Sequence, residues 1–221
     1  MMSPRFDILV SRTIICKLNF FSNFKKGNGI GSGSEQINLC YGIYVDASGS
    51  VYYSDFGNNR IMKKSNPSTA AIVIAGNNGL GFASNQFNNP MGIHIDVNNS
   101  TILYIADSNN HRIQKWIVGA SNGSTVAGGN SYGTALNQLN SPWGVISDAY
   151  GNLYISDTNN HRIIMWTSGA NFGIVIVGES GIAGSTATTL NYPNGITFDK
   201  NYSLYVADSN NFRIQKFISW Q

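Results

Sequence analysis

The stretch DSNNHRIQKW, residues 107–116, returns with small changes as DTNNHRIIMW at 157–166, DSNNFRIQKF at 208–217 and DFGNNRIMKK at 55–64. Its aspartates, Asp55, Asp107, Asp157 and Asp208, are 52, 50 and 51 residues apart, and Arg60, Arg112, Arg162 and Arg213 keep the same steps. A glycine opening an apolar run recurs at Gly42, Gly92, Gly144 and Gly195, with an apolar residue upstream at Ile37, Phe87, Leu139 and Leu190. Landmarks that hold one order and one period make the chain a tandem array. A period of about 51 residues leaves room for four strands per unit.

Those strands are legible inside one unit. GIHID (92–96) and LYIAD (103–107) alternate as strands a and b, RIQKW (112–116) is c, and STVAG (124–128) is d. The Ser-Asn-Asn-His between b and c is turn chemistry and suits a hairpin. Four antiparallel strands, repeated radially, describe the blade of a β-propeller, so the expected fold is all-β, with four four-stranded blades. A single blade cannot cover both faces of its own sheet, so neighbouring blades must bury each other's Ile, Val, Leu and Tyr side chains.

Composition agrees. The chain has 221 residues, 42% of them apolar and 12% aromatic, which is enough for a core, while charged residues make up 11%. The net charge of +3 permits a nucleic-acid partner without requiring one. Cys16 and Cys40 have no metal-ligand spacing and read as two buried thiols, with one disulfide as the alternative. Neither a signal-peptide core nor a membrane span is visible, since Arg5, Asp7, Arg12 and Lys17 interrupt the apolar N-terminal patches. Localisation stays open.

His111, between Asp107 and Arg112, has the look of a catalytic group. The repeat argues otherwise, because His111 and His161 become Asn59 and Phe212 in the other units. The better reading is a structural joint used four times: each aspartate faces its arginine across the b–c hairpin. An exposed pair of this kind contributes about 0–1 kcal/mol, and its expected role is to fix hairpin register.

At these residues the sequence resembles the NHL repeat family, through NNHRI at 109–113 and 159–163, GIHID and GITFD for the inner strand, LYIAD and LYVAD before the turn, and RIQKW and RIQKF after it. The resemblance covers about residues 20 to 221. It implies a propeller, six-bladed in most relatives, used as an interaction platform. This chain departs from that pattern with four copies, and the fourth ends on strand c. Residues 20–27 sit where a d strand would precede the first a strand, and in that role they would close a four-bladed ring. Alternatively, Asp7 and Arg12 mark residues 1–19 as a degenerate strand of a preceding blade, and the ring is a segment of a longer array.

Strand alternation places the d–a and b–c loops at one end of the blades. There the residues before each glycine, Tyr41, Met91, Trp143 and Asn194, differ in every unit, and they are the candidate binding residues for a protein or peptide. An equal alternative is that Tyr41 and Trp143 merely plug the channel. In the peptidyl-amidating lyase, a related propeller, the matching positions carry zinc-binding histidines; here the four residues are poor zinc ligands, so no metal, cofactor or catalytic residue is expected. RNA binding, known for the propellers of tripartite-motif ubiquitin ligases, is the alternative partner class. Lys63, Lys64, Lys115 and Lys216, however, alternate with apolar positions and read as solvated outer edges.

Overall fold

The computed structural model describes residues 29–65 and 69–218. Alternation of apolar and polar residues becomes four antiparallel sheets in chain order. The first holds β1 (Ile43–Val45), β2 (Val51–Asp55), β3 (Arg60–Lys64) and β4 (Ile72–Gly76). The second holds β5 (Pro90–Ile95), β6 (Ile102–Asp107), β7 (Arg112–Ile117) and β8 (Ser124–Gly128), and the third β9 (Val145–Ser147), β10 (Leu153–Asp157), β11 (Arg162–Trp166) and β12 (Ile174–Gly178). In the fourth, β13 (Pro193–Phe198), β14 (Leu204–Asp208) and β15 (Arg213–Phe217) are the described strands. These are four blades of a β-propeller. The strand d proposed at 20–27 and the degenerate strand proposed at 1–19 lie outside the described residues, as does Cys16.

The core lies between blades, as the two-sided patterning requires. Along β6, Leu103 and Ile105 join Tyr52, Ile61, Ala75 and Phe87 in the cluster between the first two blades. The intervening Tyr104 and Ala106 point the other way, into the cluster with Leu139, Val145, Leu153 and Ile155. Ile163, Val177, Leu190, Leu204 and Val206 repeat this between the third and fourth blades. Each fully buried Ile or Leu contributes about 1.5–3 kcal/mol, so these contacts supply most of what holds the array together. The upstream apolar residues Phe87, Leu139 and Leu190 each plug one such cluster.

The two ends of the array are different. Ile61, Ile113 and Ile163 are wholly buried, but their counterpart Ile214 on the fourth blade is 57% exposed. At the other end Ile43 and Val45 are 40% and 43% exposed, where Ile93 and Ile95 are buried. The first and fourth blades therefore do not cover these positions for one another as consecutive blades do.

Candidate functional site

The b–c hairpin is built as the repeat indicates, with Asp107 paired opposite Arg112 in the ladder and the same register in all four blades. Between them runs one short 3-10 turn, such as Ser108–Asn110, closed by a residue in the left-handed region: Asn59, His111, His161 or Phe212. Asn and His tolerate that conformation; a bulky phenylalanine is an outlier in it.

The ion pairs correct the expectation of an exposed register clip. Arg60, Arg112 and Arg162 are buried with their aspartates, Nε to Oδ2 at 2.7–2.8 Å, and only Arg213 is appreciably open, at 32%. The remaining guanidinium N–H groups leave the hairpin altogether. Arg112 donates to the carbonyls of Phe82, Ala83 and Gln86, and Arg162 to those of Thr134, Ala135 and Gln138, all in the long loop that precedes the blade. Asp107 accepts the N–H of Asn88 from the same loop, and Asn110 bridges Asp107 to the carbonyl of Gly81. Burial raises the Asp107 and Asp157 carboxyl groups above the ordinary range, against the opposing pull of these donors. The joint is a clamp on the d–a loop, because an unpaired loop carbonyl in this position would have to be desolvated without a partner.

The third member of the joint ties blade to blade. Asn59 Oδ1 accepts the N–H of Asn89 (2.9 Å), His111 Nδ1 that of Ser141 (3.0 Å) and His161 Nδ1 that of Tyr192 (3.1 Å). Asparagine and histidine exchange freely at this position because each offers one acceptor at similar reach. Both histidines are held below their ordinary value of 6.5 by burial, which suits an acceptor Nδ1. A second joint, which the sequence reading passed over, sits at the opposite end of the blades. Asp46, Asp96, Asp148 and Asp199 each accept two backbone N–H groups of the a–b turn and the hydroxyl of Tyr52, Tyr104, Tyr154 or Tyr205. Its signal was present, since these aspartates keep the same period.

At the loop end, the inner strands pack too closely for side chains at the recurrent glycines. A Cβ at Gly42 or Gly92 would run into the carbonyl oxygen of Met91 or Trp143, and Gly92 donates its N–H to Trp143 at 2.8 Å. Met91, Trp143 and Asn194 thus give their carbonyls to this packing. Bulges between Pro90 and Ile93, and between Pro193 and Ile196, take Met91 and Asn194 out of the regular ladder. The side chains divide. Tyr41 of the first blade meets Trp143 of the third edge-on, with ring centroids 5.2 Å apart, and Met91 is half-buried. Asn194 is buried, and its carbonyl accepts the Ser156 hydroxyl. Phe56 completes the aromatic group at 4.8 Å from Tyr41. It was missed by sequence, although its position holds Ser108, Thr158 or Ser209 in the other blades and the departure was visible.

The lysines are less free than alternation implied. Lys64 is buried and paired with Glu35 at 3.1 Å, Lys63 lies over the Tyr52 ring, and Lys216 reaches Asp199. Cys40 is buried in the first blade. His94 lies in β5 with Nε2 3.1 Å from the Ser147 hydroxyl, and burial takes it down to about 4. Among the described residues no three His, Cys, Asp or Glu side chains gather as a metal site, and no helix is long and apolar enough to cross a membrane.

Comparisons with known proteins place this geometry. No curated protein sequence matches the chain. Among solved structures it is similar to an auxiliary nutrient binding protein from Bacteroides thetaiotaomicron (TM-score 0.63, 16% identity, 84% of this chain and 49% of the other). It is also similar to a gluconolactonase from Xanthomonas campestris (TM-score 0.63, 15% identity, 84% and 60%) and to a chain of a nidogen/laminin complex (TM-score 0.53, 18% identity, 82% and 65%). The chain spans less than two thirds of the length of each. The family model for the NHL repeat matches residues 139–164 and 190–217, the third and fourth copies of the hairpin with their preceding loops. The chain therefore carries NHL repeats, arranged as blades of a β-propeller.

Proposed function

We propose that the propeller is a non-catalytic platform that binds a protein or peptide at the end formed by the d–a and b–c loops. The observation that carries this reading is the group Tyr41, Phe56 and Trp143. Three partly exposed aromatic rings meet there, at positions whose residue varies between blades, on a framework whose repeated residues are engaged in clamps. Aromatic side chains combine large contact area with few rotatable bonds, and they dominate the centres of protein interfaces. The similarity to a chain of a nidogen/laminin complex supports use of the fold in binding protein. The similarity to a lactonase is one of fold, and it assigns no residue of this chain a catalytic role. The RNA alternative is weakened by the lysines, because Lys64 and Lys216 already face carboxylates.

The test is a pull-down with the folded chain, with and without ribonuclease, alongside Trp143→Ala. A protein partner that survives ribonuclease and is lost with Trp143→Ala is the expected result. Recovery abolished by ribonuclease would replace this reading with the RNA one.

A further inference from the structure

The a–b turns lie at the end of the blades opposite the aromatic group, and one of the four breaks the repeat. The N–H groups of Asp46, Asp148 and Asp199 each donate to the carbonyl four residues on, that of Ser50, Asn152 or Ser203. A residue of positive φ, Gly49, Gly151 or Tyr202, completes each of these turns. In the second blade Asp96 instead donates to Ile102, six residues on, so its turn holds two additional residues. Blade packing does not require them. The three shorter turns make the same aspartate–tyrosine joint, and Val97, Asn98, Asn99, Ser100 and Thr101 are all exposed.

The longer turn carries Asn99-Ser100-Thr101, the Asn-x-Ser/Thr pattern that accepts an N-linked glycan. In a chain rich in asparagine the pattern also begins at Asn98, Asn122 and Asn201, so the pattern by itself selects nothing. The surroundings do. Asn98 Nδ2 donates to the carbonyl of Ala149 in the third blade (2.9 Å). Asn122 Oδ1 accepts the Ser84 hydroxyl and its Nδ2 donates to Ser121, which ties this residue to the neighbouring loop. Ser203, which completes the pattern at Asn201, is 4% exposed. Asn99 is arranged differently. Its Oδ1 accepts both the N–H of Thr101 (3.0 Å) and the Thr101 hydroxyl (2.7 Å), so the two defining side chains of the pattern face each other. Its Nδ2 has no partner among the described residues, and the turn that presents it is held by Asp96, which accepts the N–H groups of Asn98 and Asn99.

We propose that Asn99 is an acceptor site for an N-linked oligosaccharide, carried on a turn that the blade does not need for its own packing. The donor is an oligosaccharide on a lipid diphosphate. In the transfer Asn99 Nδ2 loses one proton and forms a C–N bond to the anomeric carbon; the anomeric C–O bond breaks, and the lipid diphosphate leaves with its electron pair. A glycan at this end of the blades leaves Tyr41, Phe56 and Trp143 uncovered at the other.

The test is expression of the full chain, given a cleavable leader, through the secretory pathway of cultured animal cells, with cell lysate and medium both examined. Peptide N-glycosidase releases the glycan and leaves aspartate at the acceptor. The expected result is a rise in electrophoretic mobility on digestion, with aspartate found by mass spectrometry at position 99. Thr101→Ala removes the Asn99 pattern and keeps that of Asn98 through Ser100, so it should abolish the shift. Thr101→Ser and Asn201→Gln should both keep it. A chain without glycan in lysate and medium, aspartate at 98, 122 or 201 in place of 99, or a shift that survives Thr101→Ala would each overturn the proposal. None of these outcomes bears on the platform reading, because no substituted residue belongs to the aromatic group.

Discussion

His111 and His161 show how a residue with catalytic potential is absorbed into structure. Each imidazole accepts a backbone N–H from the next blade, and Asn59 does the same work in the first. The double substitution His111→Asn, His161→Asn should therefore leave the thermal midpoint at pH 8 nearly unchanged. The pH dependence should differ. The folded chain holds these imidazoles, and His94, below the ordinary 6.5, so it favours their neutral forms. Their stabilisation is fully present above 6.5 and is lost as pH falls through the depressed values. Thermal unfolding followed from pH 8 to 4 should thus show a shallower loss for the double variant than for wild type. Equal slopes would mean that the two histidines do not carry this dependence. The repeat alone showed that these histidines are replaceable; the blade-to-blade hydrogen bond was hidden, because its partner is a main-chain N–H about thirty residues downstream.

At the scale of the hairpin, sequence located the four strands of the second blade within a residue or two, since apolar alternation and turn chemistry agree there. It misjudged the energetics of the clamp, because burial of Asp157 and Arg162 depends on a loop 24–28 residues upstream that carries no charge of its own. Removing one member of a buried pair leaves the other charge desolvated, which costs about 3–5 kcal/mol. Arg162→Ala should lower stability by that order in chemical denaturation, and Arg213→Ala by clearly less, because Arg213 is partly solvated. Equal losses would show that burial does not set the strength of the clamp. At the opposite end of the blade, Asp148→Ala strands two turn N–H groups and the Tyr154 hydroxyl. A loss of about 1–3 kcal/mol is expected by the same measurement.

Over the whole molecule, the repeat separates positions that build from positions that vary. The period revealed the blades and the clamps because identical packing demands identical residues. The binding end was only half legible. Tyr41 and Trp143 were identifiable as variable positions, but their contact across two blades, and the entry of Phe56, depend on how close the recurrent glycines let the inner strands come. If this division holds, stability and binding should respond to different residues. The most direct measurement compares partner binding and thermal midpoint for Trp143→Ala with those for the double variant His111→Asn, His161→Asn. The expected result is a crossed pattern, in which Trp143→Ala loses binding at least tenfold with its midpoint nearly kept, while the histidine variant keeps binding. Undiminished binding by Trp143→Ala, or binding lost with the histidines, would contradict it.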